Sequence, residues 1–170
     1  MFGRIIVATD LTPATRLSLR AACEVRHSQG EILLVHVIRS IAGVSDDDLS
    51  SFYGRLRTTA AARMRELSSA FARERHLDIP SLVAVGDPAR EIERIARERD
   101  ADLIVVSHGA APAPLGSVCY RLTHLAPCAV LMLQAPARIG EPTRTGSARR
   151  RGAAGPKAKL AASRGRRPVA

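Results

Sequence analysis

The sequence predicts an α/β domain: a parallel β-sheet with helices on both faces. Three observations predict it. Short apolar runs recur along the chain, as in Ile5-Ile6-Val7, Ile32-Leu33-Leu34-Val35 and Leu103-Ile104-Val105-Val106. Runs without polar alternation mark strands buried on both faces, which is the condition of a parallel sheet. Between them lie stretches whose apolar residues recur every three or four positions, the helical period. Strands alternating with helices in this way build a sheet sandwiched between helical layers.

The elements follow in order. Arg4 to Ala8 forms the first strand, and Thr9-Asp10 falls at its C-terminal end. Thr12 is placed to cap a helix whose first residue is Pro13, with Leu17, Ala21 and Val25 as its buried stripe and Gly30 ending the connection. Glu31 to Ile38 is the second strand. A polar loop, residues 39–47, contains Gly43, and Asp46, Asp47 and Asp48 suit a helix N-terminus. The long helix after them carries Leu49, Tyr53, Leu56, Ala60, Met64, Leu67 and Phe71 at helical spacing and ends near His76. Ser81 to Val85 is the third strand. Asp87 caps a helix running from Pro88 to Arg99; proline at the first helical position loses no hydrogen bond. Asp102 to Val106 is the fourth strand, Ser117 to about Leu125 the last helix, and Ala129 to Leu133 the fifth strand after the break at Pro127. There are no internal repeats.

Composition narrows the class. The chain has 170 residues, enough for one domain with a substantial core. Its five aromatic residues, Phe2, Phe52, Tyr53, Phe71 and Tyr120, leave that core to aliphatic side chains. No apolar run has the length of a membrane span, and residues 1–10 lead straight into a strand, so no signal peptide is expected. Cys23, Cys119 and Cys128 lack metal-ligand spacing and, as an odd number, suggest no disulfide framework; a cytoplasmic location is expected. The net charge of +10 is concentrated. Residues 137–170 hold ten Arg and Lys and one acid, Glu141, for +9, while residues 1–136 carry only +1. The expected organisation is a folded domain over 1–136 and a basic segment over 137–170. That segment, rich in Ala, Gly, Arg, Ser and Pro, has too few large apolar side chains to offset its ordering entropy and is expected to be disordered.

Gly86-Asp87-Pro88-Ala89-Arg90-Glu91-Ile92, then Ala101 to Gly109, then Leu115-Gly116-Ser117-Val118 resemble the second half of a universal stress protein domain. Ile5 to Leu11 and Leu33 to Ile38 resemble its first half, and the resemblance covers roughly residues 3–134. It implies a sheet of five parallel strands in the order 3-2-1-4-5. The winding then reverses between strands one and four, and ligands bind at such a switch point, beyond the strands' C-terminal ends. The resemblance also implies an adenine-nucleotide site: Asp10 contacting the nucleotide, Ala8, Val37 and Val106 around the adenosine, and Gly109, Gly116, Ser117 and Val118 around the phosphates. The residues alone allow Asp10 a second role, capping the turn after strand one.

The phosphate loop departs from its relatives. Nucleotide-binding members show glycine, two residues, glycine, nine residues, then glycine with serine or threonine. Here Val106 stands three residues before Gly109, and only six residues separate Gly109 from Gly116. Three missing residues remove up to about 10 Å of reach. Pro112 and Pro114 also lack the N–H donors such a loop supplies. Gly116-Ser117 at the helix start is intact, so a weak site for ATP or AMP is expected.

Other residues have two readings. His36, in an apolar strand, is expected to be a satisfied structural histidine. His108 is expected to be exposed in the loop after strand four, where it would reach a phosphate or a partner. Cys119, on the first turn of a helix, is either a core residue or a redox-sensitive thiol. Catalytic and metal residues are not expected.

The function these observations favour is a stress-response protein that acts by binding, as a nucleotide sensor or interaction module. The alternatives are a nucleotide-hydrolysing enzyme on the same scaffold and an accessory nucleic-acid binder through the basic segment. Without aromatic residues for base stacking, such binding to nucleic acid or another polyanion would be non-specific. The apolar fifth strand, at the sheet edge, is expected to pair with its copy in a homodimer. No membrane association is expected.

Overall fold

The computed structural model describes residues 1–40, 46–108 and 116–134. The loop around Gly43, the segment Gly109 to Leu115 and the basic segment 137–170 lie outside the described residues, as do the side chains of Asp46, Asp47 and Asp48.

Nine elements follow in order: β1 (Phe2–Thr9), α1 (Thr15–Val25), β2 (Arg26–Arg39), α2 (Asp46–Arg75), β3 (Ser81–Gly86), α3 (Pro88–Glu98), β4 (Leu103–His108), α4 (Ser117–Leu125) and β5 (Ala129–Gln134). The strands form one sheet in the order β3-β2-β1-β4-β5, and every pairing is parallel. The expected fold class and strand order are therefore correct.

Strand pleating divides the apolar runs between two cores. Ile5, Val7, Ile32, Leu34, Leu103 and Val105 face Leu19 and Ala22 of α1 and Met64 and Phe71 of α2. Ile6, Ala8, Val35, Ile104 and Val106 face Ile92, Ile95 and Ala96 of α3 and Cys119 and Leu122 of α4. Helices α1 and α2 follow the winding from β1 to β3; α3 and α4 belong to the return through β4 to β5. A change of face where the winding reverses is what a constant crossover hand demands.

Several local expectations need correction. Helix α1 begins at Thr15 after a turn in which the Thr15 N–H donates to the Thr12 carbonyl at 3.1 Å. Its buried stripe is Thr15, Ser18, Leu19 and Ala22, while Leu17, Ala21 and Val25 are half-buried. The stripe is displaced because two hydroxyl residues occupy core positions. Strand β2 starts at Arg26, five residues before the expected start at Glu31, and the register slips between the pairs Phe2–Arg26 and Arg4–Glu31. Gly30 sits beside that slip, where a Cβ would lie 2.8 Å from the Phe2 carbonyl oxygen. Only a glycine permits this approach.

Two carboxylates fix the frame. The Asp102 side chain accepts from the Gly3 N–H at 2.7 Å and the Arg4 N–H at 3.0 Å, tying the start of β4 to the start of β1. Asp87 caps α3 as expected, accepting from the Arg90 N–H at 3.0 Å, with Pro88 at the first helical position.

Candidate functional site

The winding reverses between β1 and β4, so the loops leaving these strands diverge and leave a crevice at their C-terminal ends. A cleft of about 440 Å³ opens there. Its floor is apolar, from Ala8, Val35, Val37 and Val106. Thr9 and Asp10 border it from β1, Ser107 and His108 from β4, Pro88 and Ile92 from α3, and Gly116 to Cys119 from the start of α4.

Seven of the residues expected at the site, Ala8, Asp10, Val37, Val106, Gly116, Ser117 and Val118, line this one cleft. Gly109, the eighth, lies outside the described residues. The cleft also includes a cation that the motif reading missed, Arg39 at the end of β2. The signal was present: Val35, Val37 and Arg39 alternate along one strand, so the arginine continues the face that Val37 begins.

The turn after β1 is built by its own hydroxyls. The Leu11 N–H donates to Thr9 Oγ1 at 2.8 Å, Thr9 Oγ1 meets Thr15 Oγ1, and Thr15 Oγ1 donates to the Thr12 carbonyl at 2.8 Å. Leu11 takes a positive φ of 63°. The Thr12 N–H donates to Asp10 Oδ1 at 3.1 Å, so Asp10 does cap the turn. Its carboxylate remains exposed at the cleft.

His36 lies 2.8 Å, through Nδ1, from the Thr9 carbonyl. A carbonyl only accepts, so Nδ1 carries the proton, and the structural role expected for this histidine is present. His36 nevertheless also lines the cleft. His108 differs from expectation: it ends β4, paired with Gln134 of β5, and is half-buried rather than exposed. Its Nδ1 is sealed from solvent without a hydrogen-bond partner among the described residues.

The start of α4 leaves its first N–H groups without a side-chain cap, at a helix end that carries partial positive charge. Gly116 adopts φ −62° and ψ 151°, ordinary extended angles. A Cβ there would meet nothing within 4 Å. Neither the backbone nor the protein packing requires glycine at this position. Cys119, one turn in, is 4 % exposed, and burial pushes its thiol above the ordinary range, with the charge of Asp10 acting in the same direction. Burial outweighs the helix end, and the redox reading of Cys119 is not supported.

No hydrogen bond joins His36 or His108 to a serine or cysteine among the described residues. Among the same residues no group of three or more His, Cys, Asp or Glu is placed to hold a metal ion, and no helix is long and apolar enough to cross a membrane.

The sequence pattern of the Universal stress protein family matches residues 1–134. The chain is 28% identical over 149 residues to the universal stress protein YxiE of Bacillus subtilis, an alignment covering 79% of this chain and all of that protein. Among solved structures, the universal stress protein UspA from Lactobacillus plantarum superposes with a TM-score of 0.66 at 22% identity, covering 77% of this chain and 97% of that one. A universal stress protein family member from Arabidopsis thaliana, solved with AMP bound, gives a TM-score of 0.55 at 19% identity, covering 84% and 97%.

Proposed function

The chain belongs to the universal stress protein family, and from that premise we propose that it acts by binding an adenine nucleotide in the cleft between β1 and β4. One observation carries the reading: seven residues picked out by motif, scattered between positions 8 and 118, border a single cleft at the switch point of the sheet. The AMP-bound Arabidopsis relative supports the ligand class. Adenosine lies over Ala8, Val37 and Val106 near Asp10, and the phosphate is directed to Gly109, Gly116, Ser117 and Val118.

Binding is weak in this reading, and ATP gains little over AMP. The free N–H groups at the start of α4 serve one phosphate. The segment between Gly109 and Gly116 is too short, and with Pro112 and Pro114 too poor in donors, to serve more. The role is sensing or interaction rather than hydrolysis, since no paired base and nucleophile among the described residues supports turnover. Calorimetric titration of the protein with adenosine, AMP and ATP tests this; release of phosphate from ATP at a catalytic rate would favour the hydrolase reading.

Two associations complete the proposal. The domain, residues 1–136, forms a homodimer through β5 in the cytoplasm. Residues 137–170 form a second functional unit that holds polyanions such as nucleic acid without sequence preference. Their +9 charge supports this. So does their position beyond residue 134, where the family match ends.

A further inference from the structure

Arg39 is the last residue of β2, paired with Gly86 of β3. Val35 and Val37, on its face of the strand, belong to the core beneath α3 and α4. Arg39 carries that face beyond the core, to the wall of the cleft, and is exposed. Among the described residues its guanidinium makes no hydrogen bond or ion pair. The carboxylate that feels its charge, Asp87, is already committed: one oxygen caps α3 and the other accepts from Arg121 at 2.7 Å. Among the described residues Arg39 is therefore a cation without a bonded counter-charge, beside an apolar floor.

The charge balance of the cleft gives this residue a task. Of its described lining, Arg39 is the one arginine or lysine and Asp10 the one carboxylate, and Asp10 repels an anion. A phosphate moving from water to this cleft leaves strong hydration and needs compensating charge. The start of α4 offers N–H groups and a partial charge only. Adjacent strands stand about 4.8 Å apart, so β2 and β4, which flank β1, are roughly 10 Å apart. Arg39 thus borders the cleft from the β2 side, while the start of α4 borders it beyond β4.

We propose that Arg39 is the phosphate-recognising residue of this cleft, the group that makes it select a nucleotide over the corresponding nucleoside. This rests on the nucleotide reading of the cleft. Arginine suits the role because its planar fork of donors meets two phosphate oxygens at once, which a lysine does not.

The test is calorimetric titration of the full chain, wild type, Arg39→Ala and Arg39→Lys, with adenosine and with AMP. The wild type binds AMP more tightly than adenosine. Arg39→Ala lowers AMP affinity about tenfold, the scale of one charge-assisted contact in a partly exposed site, and leaves adenosine affinity unchanged. Arg39→Lys recovers part of the loss. Equal AMP affinity in wild type and Arg39→Ala overturns this proposal and leaves the nucleotide reading standing. Equal losses for adenosine and AMP also overturn it, because they place Arg39 on the nucleoside or in the fold. A wild type that binds neither ligand overturns the nucleotide reading and this proposal together. Thermal unfolding of Arg39→Ala at the wild-type temperature excludes loss of fold, since the side chain is exposed.

Discussion

Asp87 and Arg121 join the two helices that wall the cleft: Asp87 Oδ2 accepts from Arg121 Nη1 at 2.7 Å, while Oδ1 of the same carboxylate caps α3 through the Arg90 N–H at 3.0 Å. The Arg121 hydrogen bond, and after it the Arg90 amide, hold the Asp87 carboxyl below the usual aspartate range. A depressed carboxylate stabilises the fold above its unfolded pKa, and that contribution is lost as pH falls through the folded value. Asp87→Ala removes both links and costs about 1 kcal/mol, the usual scale of a lost helix cap. Asp87→Asn keeps an acceptor for the cap, so it costs less. Denaturant unfolding of the three proteins at pH 7 and at pH 3 checks this. The differences are full at pH 7 and shrink as pH falls below the unfolded aspartate range and on through the lowered folded value.

Ser18 is fully buried in α1, and its Oγ has no hydrogen-bond partner among the described residues. An unsatisfied buried hydroxyl is a cost that alanine removes, and alanine is also the better helix former. Ser18→Ala is expected to raise stability by about 1 kcal/mol. A loss of similar size in denaturant unfolding would mean that the hydroxyl is bonded in solution.

Strand β5 pairs with β4 alone among the described strands. Leu131 and Leu133 lean on the core beneath α1 and α2, and Val130 and Met132 on the core beneath α3 and α4. What β5 offers a partner is therefore its open backbone edge and half-buried flanks, an invitation to strand pairing. Light scattering at micromolar concentration is expected to give the mass of a dimer. Ala129→Asp, at an exposed position of the strand, places a carboxylate that strand pairing would desolvate, and favours the monomer. A monomeric wild type contradicts the assignment.

Residues 137–170 are expected to retain duplex DNA at low salt, with the logarithm of affinity falling linearly as the logarithm of salt rises, by about 0.9 for each phosphate neutralised. Replacing Arg149, Arg150, Arg151, Arg164, Arg166 and Arg167 with glutamine in the full chain flattens that slope. An unchanged slope would place any DNA contact elsewhere.

The sheet was legible because its strands are continuous apolar runs. Ile5-Ile6-Val7 and Leu103 to Val106 have no polar face to turn outward, so helices must cover both sides. The phase of α1 was not legible, since Thr15 and Ser18 are polar by type and buried by position. Nor was the start of β2, whose first five residues, Arg26 to Gly30, carry no apolar pattern. The cleft was legible where motif residues fall at a strand end or a helix start, as with Asp10 and Gly116. It was not legible at Arg39, which belongs to no motif and reaches the cleft only through the strand's alternation. His108 was misplaced because β4 runs two residues past its apolar stretch, carrying Ser107 and His108 into the sheet.

The central claim, an adenine-nucleotide site between β1 and β4, is tested most directly by titrating the wild type and Gly116→Val with AMP and ATP in a calorimeter. A Cβ at Gly116 meets nothing within 4 Å among the described residues, so a side chain there is expected to spare the fold and to crowd a ligand at the start of α4. The account predicts wild-type binding weaker than about 1 μM, AMP and ATP within about tenfold of each other, and loss of both in Gly116→Val. Submicromolar ATP binding with a clear preference over AMP, or AMP binding that Gly116→Val leaves intact, would contradict it.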